Sequence, residues 1–523
     1  MGQHIDKVKN ITATVYKHYD VNKQKIAYII GLLGLILPLV IGAGYRAQVL
    51  KERFKYQIGN MAWALSMAST YTKAPGLYNY REFENMIKNP DEYIYTDRGN
   101  PKFATSSLRT DIGYPFILRL ILKDNIKGVD KIAWHIARYQ LMVDLFVIVV
   151  LFFAGFRILN ITCAILAALL YAVFKIPMVQ MSFVEYYYWP VPLSALCLLG
   201  LTFIFRNRKD RIGISFLTVL IFLGFGLLIG FATYIRLIFF NLPFVLLPVL
   251  FLREFFIQKE TALLSLRKLF YPAIRKTITL FMAILLGQMV FVLPICFYNK
   301  THHGKFALSD RQFWHLPLQG IGLYKNSWGI KDSGDVSINE WAMERGAPSY
   351  MGQPTDVIEK AEIWHKEKYF EMVKENPKFF INNFFNNFNK GLTVNEADFV
   401  FYGFFSAGSK AHQWFVSIFP WMILSSIILM YFLLRNQFWM TSAVMLQGLY
   451  LLLIVVTWFI NATDFIAGYI PVFILLLAIS LAVYLKIIIS FFESTLRCWL
   501  NGNLKQQKLF EEFMNCYNSH LIK

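Results

Sequence analysis

The sequence predicts an all-α polytopic membrane protein with about ten transmembrane helices and two long outer loops that carry interfacial helices. Of its 523 residues, 56% are hydrophobic and 17% are aromatic, and the mean hydropathy is +0.44. A soluble domain of this composition would leave too much apolar surface in water. Several apolar runs of about 18–25 residues match a hydrocarbon core about 30 Å thick, and in lipid a helix satisfies its own backbone groups.

Ten apolar segments divide the chain. We expect a cytoplasmic basic tail at 1–25, seven spans and a first outer catalytic loop (46–132) within 26–297, a second outer loop at 298–414, three spans within 415–490, and a cytoplasmic tail at 491–523. The predicted spans are 26–45, 133–156, 159–176, 189–206, 212–233, 237–256, 277–297, 415–434, 439–461 and 468–490.

The charge pattern orients these spans. The formal net charge is +19, and cations cluster in the amino-terminal tail, in "RNRKDR" (206–211) and between Arg253 and Lys276. Basic short segments face the cytoplasm, so both termini are expected inside and both long loops outside. The first span follows a polar tail and precedes no small-residue cleavage site, which predicts an uncleaved anchor. No basic stripe lies on a soluble domain, so nucleic acid is not an expected partner.

Each long loop contains a candidate interfacial helix. In the first, "LRTDIGYPFILRLILKD" has an apolar part too short to cross the bilayer. In the second, the stretch from Asp356 to Glu375 predicts an amphipathic helix that begins after Pro354-Thr355 and ends at Asn376-Pro377. The following "KFFINNFFNNF" has the aromatic content of a segment at the membrane interface.

Glu52 and Tyr56, just beyond the first span, are the first candidate site residues. Their i, i+4 spacing places them on one face of a helix. Glu52 is a candidate general base, and the competing interpretation is a solvated carboxylate among Lys51, Arg53 and Lys55.

Two further candidates lie at predicted outer membrane edges. Glu185 stands among aromatic residues in "MSFVEYYYWPVP", where a carboxylate is costly unless it is paired or used. The alternative is a structural acid hydrogen-bonded to tyrosines. Arg236 lies between two apolar spans, where it either extends to the interface or binds an anion such as a lipid-linked phosphate.

Lys300, His302 and His303 follow the seventh span and are candidate phosphate contacts. Adjacent histidines point apart and no third ligand is evident, so no metal site is predicted. The sequence contains no phosphate-binding glycine loop, GxSxG element or HExxH motif, and no cofactor is expected.

These elements, in this order, resemble the GT-C superfamily of integral-membrane glycosyltransferases, in particular the bacterial relatives of protein mannosyltransferases and aminoarabinose transferases. The elements are an acid after span 1, "GYP" before span 2, an acid after span 3, "GFATYIR" at the end of span 5 and an "ENP" helix end in the large outer loop. The resemblance covers roughly residues 26–480 and implies a GT-C-like fold in a bacterial inner membrane, with the active site on the outer face.

The resemblance also implies roles for individual residues. Glu52 with Tyr56 is similar to the family's loop acid and tyrosine, although the family usually has aspartate. Tyr114, with Asp111 just upstream, is similar to the tyrosine-proline element before span 2. Tyr469 precedes Pro471 in "DFIAGYIPVF", which lacks the family's arginine. Glu185 and Arg236 are similar to the acid after span 3 and the arginine near the end of span 5.

The predicted activity is that of an inverting glycosyltransferase. It would move a sugar from a polyprenyl-phosphate-linked donor to a lipid, glycan or protein acceptor, with Glu52, Asp111 and Glu185 as candidate catalytic acids. The donor, the acceptor and the lipid bilayer are the expected partners. A lipid or polysaccharide transporter shares the many spans, and a polysaccharide ligase or polymerase is the nearer enzyme alternative. A non-catalytic membrane scaffold would tolerate alanine at all the charged positions.

Overall fold

A computed structural model describes residues 29–52, 117–118, 121, 129–182, 188–205, 214–261, 266–303, 306–308, 314–331, 335–349, 355–392, 409–433, 435–458 and 467–500. Within these residues the structure forms α-helices and short 3-10 turns and no β-strand, which confirms the predicted all-α class. The helices are α1 (Ile29–Glu52), α2 (Val129–Ile158), α3 (Ile161–Val173), α4 (Lys175–Ser182), α5 (Pro190–Ile204), α6 (Phe216–Ile235), α7 (Leu242–Thr261), α8 (Leu266–His303), α9 (His315–Gly322), α10 (Asp335–Met343), α11 (Thr355–Glu375), α12 (Pro377–Leu392), α13 (Lys410–Leu433), α14 (Arg435–Trp458) and α15 (Ile470–Leu500).

Six helices in the described part are long and apolar enough to cross a membrane, namely those with the segments Ile29–Glu52, Ala133–Ile158, Phe216–Ile235, Leu237–Phe256, Phe270–Thr301 and Ile470–Thr495. Their outward surfaces are apolar: Phe216 is 78% exposed and Leu286 is 60% exposed. Such side chains are stable against hydrocarbon and costly in water. These helices are those of a polytopic membrane protein.

Each predicted span overlaps a described helix. Of these helices, α3 with 13 residues and α5 with 15 residues are shorter than the about 20 residues of a full crossing, whereas α13 and α14 have 24 residues each. The apolar stretches within α13 and α14 are Pro420–Tyr431 and Gln437–Leu453. The third predicted span divides at Phe174, whose extended backbone separates α3 from α4. Ten crossings and the two outer loops remain predictions.

The first helix extends beyond the predicted first span. We placed the end of the first span near residue 45, whereas α1 continues to Glu52. Apolar periodicity underestimated its length because its last two turns carry Arg46, Gln48 and Lys51, polar residues that usually mark the end of a span. Similarly, α15 continues to Leu500 where we expected a span ending at 490.

Glycines bring α6 and α8 into backbone contact. A Cβ at Gly226 would overlap the carbonyl oxygen of Ile284, and one at Gly287 would overlap the carbonyl oxygen of Leu223. A Cβ at Gly230 would lie 2.7 Å from the carbonyl oxygen of Gln288. Small residues at such positions let membrane helices approach closely, so that van der Waals contacts hold them together.

The second long loop forms a small helical domain from α9 to α12. The predicted amphipathic helix is confirmed as α11, Thr355–Glu375, and α12 begins at Pro377. A separate hydrophobic core joins α9, α10 and α11 through Leu318, Ile338 and Met372. Phe384 and Phe388 of α12 pack against the core of the main bundle, so the domain is seated on the bundle and shares its packing.

Candidate functional site

A buried ion pair between Arg46 and Asp144 joins α1 to α2. Neither side chain is exposed to solvent, and Arg46 Nε donates to Asp144 Oδ2. The other carboxylate oxygen, Oδ1, accepts hydrogen bonds from the hydroxyls of Tyr171 (2.6 Å) and Tyr188 (3.0 Å). Both oxygens of Asp144 therefore have partners, and the residues come from α1, α2, α3 and the segment just before α5.

The remaining donors of Arg46 bind backbone carbonyls. Nη1 donates to Ala172 at 2.9 Å and to Gly42 at 3.3 Å, and Nη2 donates to Tyr171 at 3.3 Å. The guanidinium also lies over the ring of Tyr171, 5.2 Å from its centroid. A buried charge is tolerated only when paired and hydrogen-bonded in this way. The cluster thus fastens the carboxy-terminal part of α1 to the carboxy-terminal end of α3.

Glu52 is the last residue of α1, six residues after Arg46. At 1.5 Å rise per residue it lies about 9 Å farther along the helix axis. Its side chain is exposed, and Oε1 accepts a hydrogen bond of 2.8 Å from Gln48 Nε2. A carboxylate that is exposed at a helix end and attached to a rigid core is able to accept a proton from a bound substrate.

Arg236 caps α6 where the chain turns toward α7. Its backbone is extended (φ −144°, ψ 118°), and its N–H donates to the carbonyl of Ala232 at 2.7 Å. A 3-10 turn, Leu237–Phe239, follows. The hydroxyl of Tyr450 on α14 donates to the carbonyl of Ile238 at 2.7 Å and holds this turn in place. The Arg236 side chain is half-buried.

The segment that contains Tyr469 contacts both α5 and the turn after Arg236. A Cβ at Gly468 would lie 3.4 Å from Pro190 Cβ and 3.6 Å from Ile238 Cδ1. Tyr469 itself is 4% exposed, and its ring packs beside Phe473 with a centroid distance of 6.1 Å. The buried tyrosine is therefore part of the packed core next to the turn that follows Arg236.

Contacts therefore connect four segments at one end of the bundle, which we call the site end. It comprises the carboxy-terminal turns of α1 with Glu52, the start of α5 after Tyr188, the turn at Arg236, and the segment at Tyr469. The segments that carry Arg236 and Tyr469 are in contact through Gly468 and Ile238. Glu52 lies at the end of α1, beyond the Arg46 cluster that joins α1 to the segment before α5. Glu185 lies three residues before Tyr188, and its own position is outside the described residues.

The other predicted site residues lie elsewhere or outside the described ranges. Lys300 is exposed in the last turns of α8, and His302 and His303 end that helix. Tyr56, Asp111 and Tyr114 are outside the described residues, as is most of the candidate interfacial helix after Asp111. Within the described part of the chain, no group of three or more histidine, cysteine or acidic side chains is placed to hold a metal ion.

Arg46 and Asp144 are the residues that sequence reasoning missed. Asp144 is an acid within the apolar run "LMVDLFVIVV", and a charge inside a membrane segment is a signal for a paired or functional group. That signal was present, but the partner was not identifiable, because Arg46 is 98 residues away in sequence.

Comparisons with known proteins find similarity in structure alone. No protein-family model matches the sequence, and no curated protein matches it. Among solved structures, the chain is similar to the oligosaccharyltransferase of Archaeoglobus fulgidus in its apo form, with 11% identity and a TM-score of 0.48 over 94% of this chain and 56% of that chain. It is also similar to archaeal oligosaccharyltransferase AglB from A. fulgidus in complex with an inhibitory peptide and a dolichol-phosphate, with 10% identity and a TM-score of 0.47 over 94% and 55% of the two chains.

The chain spans about half the length of these structural neighbours. A third structure, the A. fulgidus oligosaccharyltransferase tethered to an acceptor peptide, has 11% identity and a TM-score of 0.45 over 94% of this chain and 55% of that chain. The neighbours are oligosaccharyltransferases, so they fall within the broad class of glycosyltransferases that the sequence motifs resemble. With TM-scores below 0.5, the likeness assigns no residue role to this chain.

Proposed function

We propose that this protein is an inverting membrane glycosyltransferase that moves a sugar from a polyprenyl-phosphate-linked donor to an acceptor at the outer face of the membrane. The proposal is supported by a chain of contacts at one end of an apolar helical bundle. α1, which ends at Glu52, is joined through Arg46, Asp144 and Tyr188 to the start of α5, and α5 is joined through Gly468 to the turn at Arg236. Glu52 lies six residues after the paired Arg46, and Arg236 lies two residues before Ile238, whose carbonyl accepts a hydrogen bond from Tyr450.

The proposed reaction is a single displacement at the anomeric carbon. An acceptor hydroxyl or amine attacks this carbon, and its proton passes to Glu52. The new bond joins the acceptor oxygen or nitrogen to the sugar as the bond between the anomeric carbon and the phosphate oxygen breaks. General-base catalysis of this kind contributes roughly 10²–10⁴-fold to a rate. Asp111 and Glu185 are the next candidates for the base.

The leaving group takes the electron pair and carries negative charge on its phosphate. Arg236 is suited to stabilise it, because a planar guanidinium donates two parallel hydrogen bonds to phosphate oxygens. A donor group aimed at developing charge in a water-poor site lowers the barrier directly. Lys300 and the histidines at the end of α8 are further candidates for phosphate contacts.

The proposed location follows from the charge pattern and the apolar helices. The basic connectors favour an orientation with both termini in the cytoplasm of a bacterial cell, in which the end of α1 that carries Glu52 would face outward. A polyprenyl chain would lie in hydrocarbon beside the bundle while its phosphate reaches the interface at Arg236. This geometry suits a substrate that arrives by diffusion in the bilayer.

A structure of the purified protein with undecaprenyl phosphate tests the proposal. The expected result is a phosphate bound at Arg236, in a cavity that also reaches Glu52 and opens to one face. A lipid that occupies a path joining both leaflets, remote from Arg236 and Glu52, would contradict the proposal and favour a transporter.

A further inference from the structure

The small helical domain contains a cavity of about 440 Å³ between α10, α11 and the loop before α10. Its aromatic lining comes from Trp328, Trp341 and Trp364, and its polar lining includes Arg345, Glu367 and Lys368. The volume falls within the roughly 300–1,000 Å³ of small-molecule sites, which combine aromatic walls with a few polar groups. Nothing in the proposed reaction uses this cavity.

Two of the three tryptophans, Trp328 and Trp341, are held in place by hydrogen bonds from their ring nitrogens. Trp328 Nε1 donates to Glu375 Oε2 at 2.7 Å, and Trp341 Nε1 donates to the carbonyl of Trp328 at 3.0 Å. The rings of Trp341 and Trp364 meet edge to face with centroids 5.9 Å apart. Because the indoles are fixed before any ligand arrives, binding would cost little side-chain entropy.

The polar groups of the cavity are also arranged in advance. Arg345 lies over the Trp341 ring, 4.6 Å from its centroid, and Nη1 donates to the carbonyl of Trp341 at 3.0 Å. Lys368 pairs with Glu371 at 2.5 Å. Glu367 and Glu371 are exposed carboxylates that are able to accept hydrogen bonds, and the two cations supply donors.

The charges in this lining balance, since Arg345 and Lys368 offset Glu367 and Glu371. A site for an anion or for a cationic peptide would carry an excess of one sign. Aromatic faces together with both donors and acceptors suit a neutral ligand that has an apolar face and many hydroxyls. A pyranose ring has that chemistry: its C–H face packs on an indole, and its hydroxyls both donate and accept hydrogen bonds.

We infer that the cavity lined by Trp328, Trp341 and Trp364 is a saccharide-binding site, which holds a neutral glycan portion of the acceptor. This inference rests on the proposed glycosyltransferase function and extends it by naming the acceptor class. The domain contacts α14 through α12, and α14 also provides Tyr450, which holds the turn after Arg236. The domain that would bind the glycan is therefore supported by α14, the same helix that supports the site end.

Saturation-transfer NMR on the full-length protein in detergent micelles tests the site. The probes are chitotetraose and maltotetraose, neutral oligosaccharides of two linkage types, with tetralysine as the cationic comparison. The variants are Glu367→Gln, which keeps the shape of an exposed side chain, and Trp364→Phe, which removes half of an indole. Trp421→Ala is the matched control, because Trp421 is 70% exposed on α13, far from this lining in sequence.

We expect at least one tetrasaccharide to bind, with affinity reduced about tenfold or more in Trp364→Phe and several-fold in Glu367→Gln, and unchanged in Trp421→Ala. The inference would be overturned if neither tetrasaccharide bound or if tetralysine bound in preference to both. It would also be overturned if Trp364→Phe and Glu367→Gln bound sugar with wild-type affinity. The two failures are distinguishable. If the protein binds sugar but does not bind undecaprenyl phosphate at Arg236, the proposed function fails while the saccharide site is retained.

Discussion

Arg46 on α1 and Asp144 on α2, 98 residues apart in sequence, form an ion pair with no solvent exposure. Each group also has hydrogen bonds beyond the pair: Asp144 accepts from Tyr171 and Tyr188, and Arg46 donates to three backbone carbonyls. The pair lies between the apolar part of α1 and its exposed end at Glu52. It therefore connects the packing of the bundle to the position of the candidate base.

Removing one member of this pair is expected to destabilise the protein strongly. In Asp144→Leu the Arg46 cation stays buried without its carboxylate, and breaking a buried pair costs about 3–5 kcal/mol. Thermal unfolding of the purified protein in detergent should show a clear fall in the melting temperature.

The double variant Arg46→Met with Asp144→Leu is the matched control. It removes both charges, so no unpaired ion is left, and it should be more stable than Asp144→Leu alone. A double variant that is less stable than the single one would contradict the interpretation that unpaired charge is the cause.

Glu52→Gln tests the base without altering the shape of the side chain. Glu52 is exposed at a helix end, so the amide should leave the melting temperature unchanged, while transfer activity should fall roughly 10²–10⁴-fold. Sugar transfer from a polyprenyl-phosphate donor is the measurement. Lys51→Gln, a neighbouring change that spares the carboxylate, serves as the control. If a folded Glu52→Gln protein kept full activity, Glu52 would not be the general base, and Asp111 or Glu185 would be the next candidate.

Arg236→Ala should weaken binding of undecaprenyl phosphate more than binding of acceptor. The guanidinium offers two hydrogen bonds to a phosphate, and Arg236→Lys keeps the charge but offers no bidentate geometry. An intermediate affinity is therefore expected for lysine. Titration of the lipid into each purified variant measures this order. Equal donor affinity in wild type and Arg236→Ala would contradict the phosphate role.

Gly226→Ala should destabilise the contact between α6 and α8. The added Cβ would overlap the carbonyl oxygen of Ile284, and overpacking typically costs about 1–3 kcal/mol. Gly224, two residues earlier in α6, has no atom within 4 Å of the same added Cβ. Gly224→Ala should thus be neutral or slightly stabilising. Similar melting temperatures for the two variants would argue against close backbone contact here.

The small helical domain should lose stability as the pH falls below about 6.5, in part through His365. Burial lowers the pKa of His365 to about 4, an effect that Glu362 opposes and His315 reinforces. The unfolded chain titrates near its ordinary pKa of about 6.5. Between these values the unfolded state binds more protons, so the free energy of unfolding decreases as the pH decreases.

The variant His365→Phe should weaken this pH dependence. Its melting temperature, measured from pH 6.5 to pH 4, should decline less steeply than that of the wild type. An identical decline in both proteins would show that other groups cause the acid sensitivity.

The sequence alone determined the helical class, the positions of the apolar helices and the amphipathic α11. These follow from local composition and spacing: apolar runs of span length, and a helix from Thr355 to Glu375 bounded by prolines. It also placed Glu52 just beyond the first span and Arg236 between two apolar spans. Local pattern was sufficient for these features, because each depends on residues within about one helix length.

Tertiary structure alone decided which helix ends meet and which charges pair. Arg46 pairs with Asp144, and Gly468 packs between Pro190 and Ile238, through contacts that join distant parts of the chain. The tryptophan-lined cavity similarly required α10 and α11 to pack on one another. No local period encodes such contacts, since the energy of a buried ion pair or a packed indole depends on partners that only the packed fold supplies.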